Sequence, residues 1–254
     1  MTGDCCDILY GALKMRQPLE GGGPRVNVDT VLLAHFTRFP RQARVVEMGC
    51  AQGAISLILA KRRLLRASDA SRAPMPPIEG FDIQEPLIEL ANANAALNGL
   101  AGQVRFHARD LRNVRAYYEA GSFDAVVMNP PYDERGRSRP GPSDAMAAAM
   151  HGSECSLRDV VAAARYLLKN RGKFFLVIRA KRVGELMSLL SDANVRPKRM
   201  RAVHPKPGRE ASVALFEASR ASGEGMSIEP PLFIYGEDGE YTEDLLAAYR
   251  LGDT

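Results

Sequence analysis

Asn129, Pro130, Pro131 and Tyr132 follow directly on an apolar run, Phe123–Met128. At this composition a chance Asn-Pro-Pro-aromatic tetrad has a probability on the order of 0.002, so the motif asks for a chemical reading. The Asn129 side-chain oxygen and the Pro130 carbonyl can each accept one N–H of a flat amino group. An exocyclic amino nitrogen on a base is a poor nucleophile, because its lone pair is conjugated with the ring. Two acceptors turn that lone pair toward an electrophile and stabilise the positive charge that develops on nitrogen. Prolines at 130 and 131 fix the loop backbone, so the carbonyl is aimed in advance. Tyr132 offers a face on which the ring can stack. No strong general base is required, and catalysis is mainly in-line positioning.

Three acids stand at the ends of three earlier strand candidates: Glu47, Asp82 and Asp110. Each alone reads as a loop-capping carboxylate. Together they fall on one rim of a parallel sheet, where ligands bind. Glu47 opens the loop Glu47–Met48–Gly49–Cys50–Ala51–Gln52–Gly53, which runs into a helix. Small residues there let backbone amides approach a ligand closely, and the helix N-terminus adds positive potential. A dinucleotide fingerprint would be G-x-G-x-x-G, and Gln52 breaks it. The pattern acid-x-G-x-small-x-G instead resembles the cofactor loop of class I S-adenosylmethionine-dependent methyltransferases. That resemblance implies Gly49, Cys50, Ala51 and Gly53 against the cofactor and Glu47 near its cationic methionine end. It places Asp82 at the ribose and Asp110 at the adenine amino group, with Ile83, Leu111 and Asn129 also among the cofactor-binding residues.

The elements that must position these residues are legible as alternating runs. Strands are expected over Ala43–Met48, Pro77–Ile83, Val104–His107, Phe123–Met128, Lys173–Ile178, Val195–His204 and Ala211–Ala218. Helices are expected over Ala54–Leu65, Pro86–Leu97, Leu157–Leu168 and Val183–Leu190, with another starting from an Asp29 N-cap. Alternation of this kind implies a parallel sheet with crossover helices. The last two strands lack a helix between them and imply an antiparallel hairpin at one edge. Two long loops, Ala67–Pro77 and Asp133–Asp144, are rich in turn formers. Past Ser219, Pro230–Tyr235 and Tyr241–Tyr249 are apolar enough to pack as a strand and a short helix. The expectation is a single domain over 1–254: a core over 43–218, with an N-terminal extension over 1–42 and a C-terminal one over 219–254.

The net charge of +4 is unevenly spread. Residues 221–254 hold eight acids against the single base Arg250, so the rest of the chain is strongly basic. The densest basic tract is Arg196, Lys198, Arg199, Arg201, Lys206 and Arg209, with His204 inside it. Arg179, Lys181 and Arg182 follow the fifth strand. Such clusters suit a polyphosphate partner, and RNA is the expected one. On this reading Arg179, Arg182, Lys198, Arg199, His204, Lys206 and Arg209 contact substrate, although any one cluster also reads as a solvated face. Four cysteines show no zinc-site spacing, and His151 with Cys155 lacks further ligands, so no metal is expected. No run approaches the ~18 apolar residues of a membrane span, and the N-terminus lacks a secretory signal. Reduced thiols in a cytoplasmic protein are the simple reading.

Nearly the whole chain resembles the bacterial tRNA(Val) adenine-N6-methyltransferase family. The resemblance rests on Asn129–Tyr132, the three acids, Val28–Ala34, Lys198–Ala211, Pro230–Tyr235 and Gly239–Thr242. It implies a Rossmann-like α/β fold with a mostly parallel seven-stranded sheet, the last strand antiparallel and helices on both faces. It implies S-adenosylmethionine as cofactor and, as substrate, the adenine just 3′ of the anticodon (position 37) of a valine tRNA. Cys50 and Gln52 depart from the usual cofactor loop, and Asp133–Asp144 has no recognisable counterpart. Two other readings stay open: the same chemistry on guanine-N2 of ribosomal RNA or a protein glutamine, and a non-catalytic module that binds S-adenosylmethionine or RNA.

Overall fold

A computed structural model describes residues 5–19, 23–66, 74–130 and 155–251. Pro131, Tyr132, the Asp133–Asp144 loop, His151 and residues 67–73 of the Ala67–Pro77 loop lie outside the described residues.

The seven expected strands all form: β3 (Val45–Met48), β4 (Ile78–Asp82), β5 (Val104–Ala108), β6 (Phe123–Met128), β7 (Leu168–Arg179), β8 (Val195–His204) and β9 (Val213–Arg220). Their order across the sheet is β8-β9-β7-β6-β3-β4-β5. Pairings from β7 through to β5 are parallel, and β9 is antiparallel to both β7 and β8. Two short strands, β10 (Ser227–Ile228) and β11 (Leu232–Phe233), add parallel to β8, so the sheet has nine strands rather than seven. Pro197 cannot donate to the ladder, and β8 shifts register between Pro197 and Arg199.

Side-chain alternation builds a core on each face. Val45, Val127, Phe175 and Val177 pack on one side; Val46, Val126, Phe174 and Leu176 pack on the other. The first face is covered by α1 (Val28–Phe36), α2 (Ala54–Leu65), α3 (Glu85–Leu97) and α6 (Glu243–Tyr249). The second is covered by α4 (Leu157–Leu167), α5 (Val183–Asp192) and a 3₁₀ turn over Leu111–Ala116. Runs that are apolar on both faces are what a sheet sandwiched between helices requires.

Two local readings are corrected. Helix α1 is capped by Asn27, whose side chain accepts from Thr30 N, and Asp29 sits inside the first turn instead. The N-terminus also forms an unexpected hairpin of β1 (Cys5–Ile8) and β2 (Leu13–Arg16). Its free edge is satisfied by side chains. Asn98 and Asn94, one turn apart on α3, each exchange two hydrogen bonds with the backbone of Lys14 and Arg16. The two amides stand in for a neighbouring strand.

Candidate active site

The loop after β3 turns on positive φ angles at Gly49 (65°), Ala51 (46°) and Gly53 (84°). Gly53 caps α2, and a Cβ there would lie 2.7 Å from the Phe106 ring. Glycine is therefore needed for both backbone and space. Behind the loop runs a chain of buried amides. Asn94 Nδ2 donates to the Gln52 carbonyl, and Gln52 Nε2 donates to Gln17 Oε1, which also accepts from Val26 N. Gln52 thus ties the loop to the N-terminal segment.

In front of the loop lies a cleft of about 480 Å³, within the ~300–1,000 Å³ of small-molecule sites. It sits at the carboxyl ends of β3 to β6. Gly49, Ala51, Asp82, Ile83, Asp110, Leu111, Asn129 and Pro130 all line it. Asp82 is nearly buried; its Oδ2 accepts from Ala51 N and its Oδ1 from Gln84 N, both at 3.0 Å. One carboxylate so joins the first two strand-end loops. Ile83 is 43% exposed beside it and offers an apolar surface to a flat ligand.

Asp110 caps the 3₁₀ turn through Arg112 N and makes a two-pronged ion pair with the Arg112 guanidinium. Those hydrogen bonds hold its carboxyl below the usual range. Asn129 carries the most telling atom. Its Oδ1 is buried and, among the described residues, has no hydrogen-bond partner, and Asn129 lines the cleft. A buried acceptor without a donor costs ~1–3 kcal/mol, and a ligand N–H would remove that cost.

Two of the expected cofactor residues face elsewhere. Glu47 is 2% exposed, and its carboxylate accepts from Ser56 N at 2.8 Å and Ser56 Oγ at 2.5 Å. It braces the start of α2 and is not part of the cleft wall. Burial pushes its carboxyl up to about 8. The Cys50 side chain packs in the core against Gly80, and burial holds its thiol well above the usual range. Alternation along β3 puts Glu47 on the face of Val45, under α2, and the left-handed turn at Gly49 carries Cys50 inward.

Other cleft-lining residues had no signal of their own in the sequence: Pro24, Asn27, Gln84, Arg109, Met128 and Cys155. Gln84 and Arg109 could have been found from the rim rule, since each adjoins a strand-end acid. Arg109 is braced by Tyr117 and Tyr118, its guanidinium 5.1 and 4.9 Å from their ring centres.

The basic tract divides. Arg199 bonds Glu217, Glu229 and the Phe36 carbonyl, and Lys198 donates to the carbonyls of Gly223 and Glu224. Both are used within the protein and are not brought to the cleft. Arg182 forks onto Glu185, and Arg179 ends β7 on the rim. His204 Nδ1 donates to the Arg209 carbonyl at 2.7 Å. Lys206 and Arg209 are exposed in the β8–β9 turn and, with Tyr235, line an open groove of about 560 Å³. That turn lies on the same rim as Asn129, three strand spacings or about 14 Å along the sheet. Among the described residues, no group of three or more His, Cys, Asp or Glu could hold a metal ion. No described helix is long and apolar enough to cross a membrane.

Comparison with known proteins places this geometry. Residues 41–198 match the family described as a methyltransferase domain. The tRNA1(Val) (adenine(37)-N6)-methyltransferase of Aeromonas hydrophila is 26% identical over 219 residues, 86% of each chain. The enzyme of the same name from Tolumonas auensis is 23% identical over 223 residues, 88% of this chain and 87% of its own. A crystal structure described as a predicted O-methyltransferase from Agrobacterium tumefaciens superposes with a TM-score of 0.68 at 20% identity, covering 87% of this chain and 97% of that one.

Proposed function

The chain belongs to the methyltransferase domain family, and on that premise we propose that it methylates the exocyclic N6 amino group of an adenine in tRNA, using S-adenosylmethionine. The named activity of the curated relatives supports adenine 37 of a valine tRNA as the target. The observation that carries the reading is the orphaned Oδ1 of Asn129 on the cleft wall.

When bound, S-adenosylmethionine supplies an electrophilic methyl on a sulfonium. The residues present fit it. Asp82 lines the cleft at the end of β4, where a carboxylate can accept from ribose hydroxyls. Ile83 and Leu111 flank a flat base, and Asp110 accepts from its amino group. Gly49 and Ala51 let the backbone come close.

At the other end, Asn129 Oδ1 and the Pro130 carbonyl each accept one N–H of the target amino group. Their grip turns the nitrogen lone pair toward the methyl and stabilises the charge that builds on nitrogen. The nitrogen's extra proton is acidic after transfer and leaves to water, so no side chain must act as base. Tyr132 is the proposed stacking surface for the target ring, which must be unstacked from its neighbours to reach the cleft. Lys206 and Arg209 are placed to hold phosphates. Four free cysteines fit a cytoplasmic setting.

The test is transfer of labelled methyl from S-adenosylmethionine to tRNA from cells lacking the protein, followed by nucleoside analysis. Labelled N6-methyladenosine is expected. An unlabelled tRNA pool, with cofactor binding intact, would sink the tRNA assignment.

A further inference from the structure

At the opposite end of α2 from the cofactor loop is a small cavity of about 70 Å³. Its walls include Thr37 and Phe39 from the chain leaving α1, and Arg62 and Arg63 from the last turns of α2. Arg41 and Arg66 also line it. Among the described residues, no acid is in the lining.

Arg62 and Arg63 are each 4% exposed. Each spends Nη2 on a carbonyl, Arg62 on Ala248 and Arg63 on Pro76. The Nε and Nη1 atoms of both are buried and, among the described residues, have no hydrogen-bond partner. Those atoms carry three of the five N–H donors of each guanidinium. Buried charges are ordinarily paired. The carboxyl end of α2 supplies only about half an elementary negative charge, against two guanidinium groups. The same crowding weakens their hold on the proton. Burial, with repulsion from Arg66, brings Arg62 down to about 10, and burial with Arg41 lowers Arg63. Nearby His35 is lowered to about 4 by burial and by Arg62.

We propose that this cavity is an anion site that takes a free tetrahedral oxyanion, inorganic phosphate or sulfate, between the guanidinium groups of Arg62 and Arg63. Several observations set the ligand class. The unpartnered groups are donors only. Arginine forks match the oxygens of phosphate. The cavity is too small for a phosphodiester with its two flanking sugars. The bound anion would tie the end of α2 to the α1–β3 connection. Arg62 also reaches α6, so the tie would extend to the C-terminal segment.

The experiment is a melting-temperature titration of the full chain with sodium phosphate, ionic strength held constant with sodium chloride. A rise above the chloride control that grows with the logarithm of phosphate concentration, about 5 °C at a hundredfold excess over Kd, is expected. Arg63→Met should abolish that rise while melting no lower than the native chain in chloride, because a buried unpaired charge has gone. If Arg63→Met does not fold, Arg63→Lys carries the test. It keeps the charge and loses the fork, and its phosphate affinity should fall about tenfold. No phosphate-specific rise in the native chain, or an equal rise in the substituted one, overturns the proposal. So does a variant that loses tRNA affinity when the native chain shows no phosphate response, which would make the cluster an RNA contact.

Discussion

Glu47 and Ser56 are joined by two hydrogen bonds, one from the backbone N–H and one from the hydroxyl, inside a site closed to water. The strand-end acid is therefore a brace for the helix behind the cofactor loop. Its carboxyl is raised from 4.5 to about 8 by burial. The folded state then keeps a proton that the unfolded chain releases. The stability this contributes is complete below pH 4.5 and is lost as pH rises toward 8. Within that window each pH unit costs up to ~1.4 kcal/mol. Urea melts of Glu47→Gln should show a flatter pH profile than the native chain from pH 5 to 8, and parallel profiles would refute the assignment.

Asn129→Ala should lower kcat by about 10²–10³, the usual loss for one preorganised acceptor or donor at a developing charge. Cofactor affinity, measured by calorimetry with S-adenosylhomocysteine, should stay within about twofold. An equal loss in both quantities would mean that Asn129 serves the cofactor and not the target amine.

Asp82→Asn tests the other end of the cleft. The carboxylate holds two backbone N–H groups and is proposed to hold the ribose. Charge-assisted bonds are worth ~1.5–3 kcal/mol, so the Kd for S-adenosylhomocysteine should rise at least about tenfold. Unchanged affinity would remove Asp82 from the site.

Gly53→Ala should destabilise the fold by about 2–5 kcal/mol. A left-handed residue with a Cβ costs ~1–2 kcal/mol, and overpacking adds ~1–3 kcal/mol, here against the buried ring of Phe106. A melting temperature unchanged in the variant would show that the loop has another conformation.

Two residues of one basic tract should behave oppositely. Arg199→Ala leaves Glu229 unpaired and Glu217 with Lys173 alone, and should cost about 2–4 kcal/mol of stability. Lys206→Ala should leave stability within ~0.5 kcal/mol but raise KM for tRNA and lower its salt dependence. Reversed results would exchange their roles.

The sheet was readable because its strands are short apolar runs separated by helical periods, and the place of Asn129 on the cleft was readable because its motif ends one of them. The N-terminal hairpin was not. Its edge is satisfied by Asn94 and Asn98, and nothing in the local pattern around Lys14 announces a partner roughly eighty residues away. The inward direction of Cys50 was equally hidden, because it follows the left-handed turn at Gly49. Arg199 and Arg201 read as free cations because their acids come 18 to 43 residues later.

Strand β8 finally has an electrical direction. Along its middle, Arg199 and Arg201 are neutralised by Glu217, Glu229 and Asp244. Past its carboxyl end, Lys206 and Arg209 stand exposed on the rim that carries Asn129. A polyanion drifting along this edge gains little until it reaches the rim. On the proposed function, the acidic C-terminal segment works as an insulator, and the charge it leaves uncovered is the proposed landing mark beside the chemistry.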